Sequence, residues 1–108
     1  MKSRFALLLS LSLAAVVHAE EETAAETWTA KCKSCHGGDG KGQTQMGKKE
    51  AIDDLSLPSW QSAHDDAAIR QVIAEGSPKN KKMKAYKDKL SDKQLDALVA
   101  YVRTLKKG

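Results

Sequence analysis

The chain has 108 residues, 41% of them hydrophobic and 30% charged, with a formal charge of +4. That length holds one domain, and so mild a positive charge gives no reason to expect a nucleic-acid partner. Both of the chain's two cysteines fall within five residues that also hold one of its three histidines.

The first residues, MKSRFALLLSLSLAAVVHAEEE, place Lys2 and Arg4 ahead of an apolar run from Phe5 to Val17 and end in small residues before an acidic turn of composition at Glu20. This is the pattern of a secretory signal peptide cleaved after Ala19. The run is short for a membrane span, and the first cysteine, at position 32, is too distant for lipid attachment at the cleavage site. The expected mature product is residues 20–108, a single exported domain, soluble and monomeric in the periplasm or an equivalent space. Its 89 residues carry 16 basic and 14 acidic side chains once Lys2 and Arg4 are removed. An unaided core of that size supplies only about 3–5 kcal/mol of net stability.

Thr23, with Glu26 three residues later, predicts a capped helix start, and Ala24, Trp28 and Cys32 recur every four residues along one face to about Ser34. Five glycines between Gly37 and Gly47 then predict a loop, with one short helical turn from Met46 to Ala51. Asp65 or Asp66 can cap a helix whose apolar face is Ile69, Val72 and Ile73 and whose stop signals are Gly76 and Pro78. Ser91 and Gln94 open the last helix, expected at 91–107, with the stripe Leu95, Leu98, Val99, Val102 and Leu105. Arg103, Lys106 and Lys107 suit the negative end of its dipole. No useful alternating strand pattern appears, so the predicted class is all-α, with three to four helices.

Cys32-Lys33-Ser34-Cys35-His36 has the spacing of c-type haem attachment. Two thiols three residues apart near a helix end face one side, where each can add to one haem vinyl group while His36 lies beneath the iron. A redox-active dithiol competes as a reading, but that motif belongs to strand-to-helix junctions of α/β folds. A structural zinc site lacks ligands, since only Cys32, Cys35, His36 and the distant His64 remain after cleavage. One covalent haem would also enlarge the apolar surface against which so short a chain can pack.

A second axial ligand must come from far along the chain. Met83, in Lys82-Met83-Lys84-Ala85-Tyr86, falls in the loop between the last two predicted helices. His64 is its rival, and Met46, amid glycines, is the weaker methionine.

Several of these pieces, in order, resemble the class I c-type cytochromes: Trp28 four residues before Cys32, the Cys32–Gly37 stretch, Met83 before Ala85-Tyr86, and the ending Leu90-Ser91-Asp92-Lys93-Gln94-Leu95 through Arg103. The resemblance implies a cytochrome c fold wrapped around one haem, with the first and last helices crossed so that Ala24 and Trp28 meet Leu98 and Tyr101. It implies Cys32 and Cys35 as thioether anchors, His36 and Met83 as axial ligands, and Leu55 and Trp60 as haem-lining residues, with the Trp60 indole able to donate to a propionate. The implied function is electron carriage between larger redox proteins rather than catalysis. A haem-based sensor or small peroxidase with a labile sixth ligand is the alternative. Lys79, Lys81, Lys82, Lys84, Lys87 and Lys89, within eleven residues around Met83, would then steer acidic docking surfaces onto the haem edge. Two departures from the family stand out: Lys84 replaces the proline that often follows the ligand methionine, and Ala51-Ile52-Asp53-Asp54-Leu55 occupies the place of the proline whose carbonyl accepts from the proximal histidine.

Overall fold

The computed structural model describes residues 21–107, so the predicted signal peptide lies outside the described residues. Among these residues there is no strand; the elements are α1 (Ala24–Thr27), a π-helical turn (Trp28–Cys32), α2 (Lys33–His36), α3 (Gln45–Lys49), α4 (Pro58–Ala63), α5 (Asp66–Glu75) and α6 (Asp92–Thr104). The all-α expectation holds.

The helix starts follow from local chemistry. Thr23 and Ser91 each form the reciprocal capping box expected of them, with Glu26 and Gln94, and Asp65, rather than Asp66, caps α5 by accepting from the Ala68 N–H at 2.8 Å. α1, the π turn and α2 run on as one helix to His36, two residues past its expected end. In the π turn the Lys33 N–H donates to the Trp28 carbonyl five residues back, and such wide turns recur at functional sites. The predicted face nevertheless survives, with Trp28 buried and Ala24 and Cys32 packed at the margin of the core.

Three expectations need correction. α4 is an additional helix, giving five when α1 to α2 is counted as one; its signal was Pro58, which sits at the first helical position, where a missing N–H costs nothing. α6 stops at Thr104, which leaves Lys106 and Lys107 beyond the helix, and the Lys107 N–H instead donates to the Ser56 carbonyl at 2.9 Å. On α5 the buried residues are Ile69, Ile73 and Ala74, whereas Val72 is exposed.

The core is formed by Trp28, Leu55, Ile69, Ile73, Ala74, Leu90, Leu95, Leu98, Val99 and Val102. α6 supplies its most buried members, Leu95 and Leu98, and packs on α1 and α5. Trp28 meets Tyr101 with ring centroids 5.4 Å apart, the crossing of first and last helices that the resemblance implied. Arg103 does more than face a dipole. Its guanidinium donates to Asp66 Oδ1, to the backbone and side-chain oxygens of Gln61, and to the His64 carbonyl at 2.6–3.0 Å, clamping the α4–α5 corner onto α6.

Candidate haem site

The end of α2 carries the two thiols and the imidazole, and the residues around it hold its backbone from several directions. The Trp28 indole N–H donates to the Gly37 carbonyl at 2.9 Å within the core, and its ring lies 5.7 Å from that of His36. The Gly42 N–H donates to the His36 carbonyl at 2.8 Å. Thr44 caps α3 by accepting from the Gly47 N–H at 2.8 Å while its hydroxyl donates to the Cys35 carbonyl at 2.6 Å. Gly47 brings α3 so close that a Cβ there would lie 2.6 Å from the Cys35 oxygen and closer still to that of Gly42. The glycine-rich loop is therefore a latch that closes on the haem-motif backbone.

α3 ends in a Schellman arrangement: the Ile52 N–H donates to the Gly47 carbonyl at 3.1 Å and the Ala51 N–H to that of Lys48 at 3.3 Å. Ala51, at φ +51°, stands in the left-handed position that usually takes glycine. Glu50 follows the last helical residue, and its two carboxylate oxygens accept from Lys82 Nζ at 3.1 Å and Asn80 Nδ2 at 3.2 Å. These two donors hold its pKa below the ordinary carboxylate value.

The chain from Gly76 to Tyr86 carries Met83. The Met83 N–H donates to the Asn80 carbonyl at 3.1 Å, and the Met83 carbonyl accepts from the Ser77 N–H at 3.2 Å. Gly76 has φ +85°, and a Cβ there would lie 2.8 Å from the Met83 oxygen. The Tyr86 N–H returns to the Ile73 and Ala74 carbonyls at the end of α5, and its hydroxyl reaches the Lys31 carbonyl, beside Cys32, at 3.4 Å. Burial raises the Tyr86 phenol pKa, and proximity to both Cys32 and Cys35 adds to the rise. Cys32, Met83, Tyr86 and Trp60 all lie half-buried against the one core.

The remaining predicted residues have partners of their own. Leu55 is buried in the core; its N–H donates to the Gly40 carbonyl at 2.8 Å, and its own carbonyl accepts from Gln61 Nε2 at 2.7 Å. Trp60 stacks on His64 with centroids 4.4 Å apart, and His64 Nδ1 lies 2.8 Å from the Trp60 carbonyl. His64 is thus held within the α4–α5 corner that Arg103 clamps. Met46 is half-buried on α3. No sequence motif points to Thr44 or Glu50, and a glycine inside a predicted helical turn is the one sequence signal for the latch at Gly47.

The thiols and imidazole have the chemistry to hold a haem. Cys32 and Cys35 are both free thiols. Burial pushes the Cys32 pKa up to about 11, against a smaller lowering by Lys31. That is the reverse of the depressed pKa that makes a dithiol motif a redox catalyst. Burial lowers the His36 pKa, favouring the neutral imidazole a metal requires, and the buried His36 Nδ1 has no hydrogen-bond partner. No carbonyl of the 51–55 segment takes the place of the family's histidine-orienting proline.

An all-helical shell with a latched Cys-x-x-Cys-His helix end defines a c-type cytochrome domain. The chain belongs to the family described as cytochrome c oxidase, cbb3-type, subunit III, whose model matches residues 19–102. It is 37% identical over 84 residues to the cbb3-type cytochrome c oxidase subunit FixP of Azorhizobium caulinodans, covering 78% of this chain and 27% of that one. It is 34% identical over 88 residues to FixPc of Rhizobium leguminosarum bv. viciae, covering 81% and 28%. The chain thus spans about a quarter of the length of these curated relatives. Among solved structures, the KustC0563 c-type cytochrome superposes with a TM-score of 0.72 at 32% identity, covering 80% of this chain and all of that one. The dihydro-haem d1 dehydrogenase NirN matches at 0.57 and 31%, covering 74% and 16%. The family implies haem c, and the two thiols and the half-buried imidazole at the end of one helix fit it.

Proposed function

We propose that this chain carries one electron at a time on a single haem c, bound by thioether bonds from Cys32 and Cys35, with His36 and Met83 as axial ligands, and that it transforms no substrate. The observation that carries this reading is the latched helix end, where two thiols not bonded to each other and a half-buried imidazole are held together at the edge of one core. When bound, the haem supplies ferrous–ferric cycling; the chain's part is to hold the ligands and exclude water from them. Support for Met83 over His64 comes from the anchoring of the Met83 loop at α3, α5 and Lys31, while His64 is taken up by Trp60.

Export is part of the proposal: the family match begins at residue 19, beside the expected cleavage point. No helix among the described residues is long and apolar enough to cross a membrane. The relatives are named as oxidase subunits, which favours electron exchange with redox proteins inside or alongside a complex and leaves the expected monomer without support. Of the six lysines, Lys82 pairs with Glu50 and Lys87 with Glu75 at 3.0 Å. Among the described residues Lys79, Lys81, Lys84 and Lys89 form no ion pair, Lys89 lying over the Tyr86 ring at 5.9 Å, and these four are proposed to meet acidic partner surfaces.

The test is the mass and optical spectrum of protein exported by a haem-maturing host. One added haem is expected, with a near-infrared methionine-to-iron band that is lost in Met83→Ala and kept in His64→Ala. A folded, colourless product weighing no more than its polypeptide would refute the proposal.

A further inference from the structure

The Lys84 departure raises a mechanical question, because a proline after the ligand methionine stiffens its loop and lysine does not. The structure supplies a substitute elsewhere. Glu50 is joined through α3 to the haem motif itself: Gly47 abuts the Cys35 carbonyl, Thr44 bonds it, and the Schellman turn fixes the direction in which the chain leaves α3. From that base the two Glu50 oxygens grip residues 80 and 82, immediately before Met83. Asn80 tightens the grip, since its Oδ1 accepts from the Lys82 N–H at 2.9 Å and its carbonyl accepts from the Met83 N–H. The Glu50 side chain is 21% exposed, against 55% for Lys82, so the acid is the better sheltered member of the pair.

We propose that Glu50 is a positioning residue for Met83: it ties the distal-ligand loop, through α3, to the backbone of Cys35, and so keeps Met83 from swinging off the iron. The inference rests on Met83 being the ligand. It adds that this bond is held by a residue 33 positions earlier, and it predicts that weakening the tether opens the sixth position without unfolding the domain.

The test uses the full haem-loaded chain. In Glu50→Ala, carbon monoxide uptake by the ferrous protein should rise about tenfold, because uptake reports the fraction of molecules with the loop released and the tether combines an ion pair with a charge-assisted hydrogen bond. The near-infrared band should weaken in parallel. Glu50→Gln, which keeps the side-chain length and one acceptor for Asn80, should show a smaller rise and serves if the alanine variant fails to mature. Asp96→Asn breaks a comparable surface pair with Arg70, at 2.8 Å on α6, and should leave both readouts unchanged. Wild-type uptake and an intact band in both Glu50 variants would overturn the positioning role while leaving the ligand standing. A wild-type protein without the band would overturn the ligand assignment and this inference with it.

Discussion

Replacing Gly47 by alanine sets two effects of opposite sign against each other. In a helix interior, alanine is favoured over glycine by about 1 kcal/mol, so propensity alone predicts a more stable protein. Packing predicts the reverse, because the new methyl would lie 2.6 Å from the Cys35 carbonyl oxygen and against the Gly42 carbonyl, both backbone atoms with no rotamer to yield. Ordinary contact begins at 3.4 Å, so α3 must retreat by about 0.8 Å from the Cys35 oxygen and by more from that of Gly42. That movement stretches the Thr44–Cys35 bond, now 2.6 Å, and the cap bond to residue 47, now 2.8 Å. Overpacking costs about 1–3 kcal/mol, and weakening two such bonds adds about 1 kcal/mol. The net loss should be about 2 kcal/mol, which lowers the melting temperature by roughly 8–16 °C for a domain of this size. Thermal unfolding of haem-loaded wild type and variant, followed by far-ultraviolet circular dichroism, measures it. An unchanged or raised midpoint would refute the latch.

Ala51→Gly should act in the opposite direction. An L-residue in the left-handed region costs about 1–2 kcal/mol, glycine returns roughly 0.5–1 kcal/mol of that as lost chain entropy, and Ala51 sits there at φ +51°. Urea unfolding should show a gain of about 0.5–1 kcal/mol, and a loss would count against the left-handed turn. Asp54 should make the protein acid-sensitive. Its Oδ1 accepts from the Ser56 hydroxyl and, at 2.9 Å, from the Ser56 N–H, and the hydroxyl contact chiefly holds its carboxyl below the ordinary value. A depressed folded pKa contributes stability that is complete above the unfolded value of about 4 and is lost as pH falls through the lower folded one. Asp54→Asn should therefore lose less stability than wild type between pH 5 and pH 3 in urea titrations; equal losses would remove Asp54 from the account.

What the amino-acid sequence determined by itself was whatever depends on neighbours within a turn or two. The capping boxes at Thr23 and Ser91, the cap at Asp65, the stripe of Leu95, Leu98, Val99 and Val102, and the Cys32–His36 spacing all involve atoms brought together by the helix repeat itself, so position along the chain sufficed. Even the Trp28–Tyr101 crossing was reached through family resemblance and not through any local signal. The tertiary structure alone decided which distant groups meet. Gly47 is a close-approach residue only because the Cys35 carbonyl lies beneath it, Arg103 is a clamp only because Gln61, His64 and Asp66 converge on it, and Glu50 is a tether only because residues 80 and 82 arrive beside it. Each side chain is compatible with many surroundings, and the choice among them is made by the shared burial of the helices, a property of the packed chain as a whole.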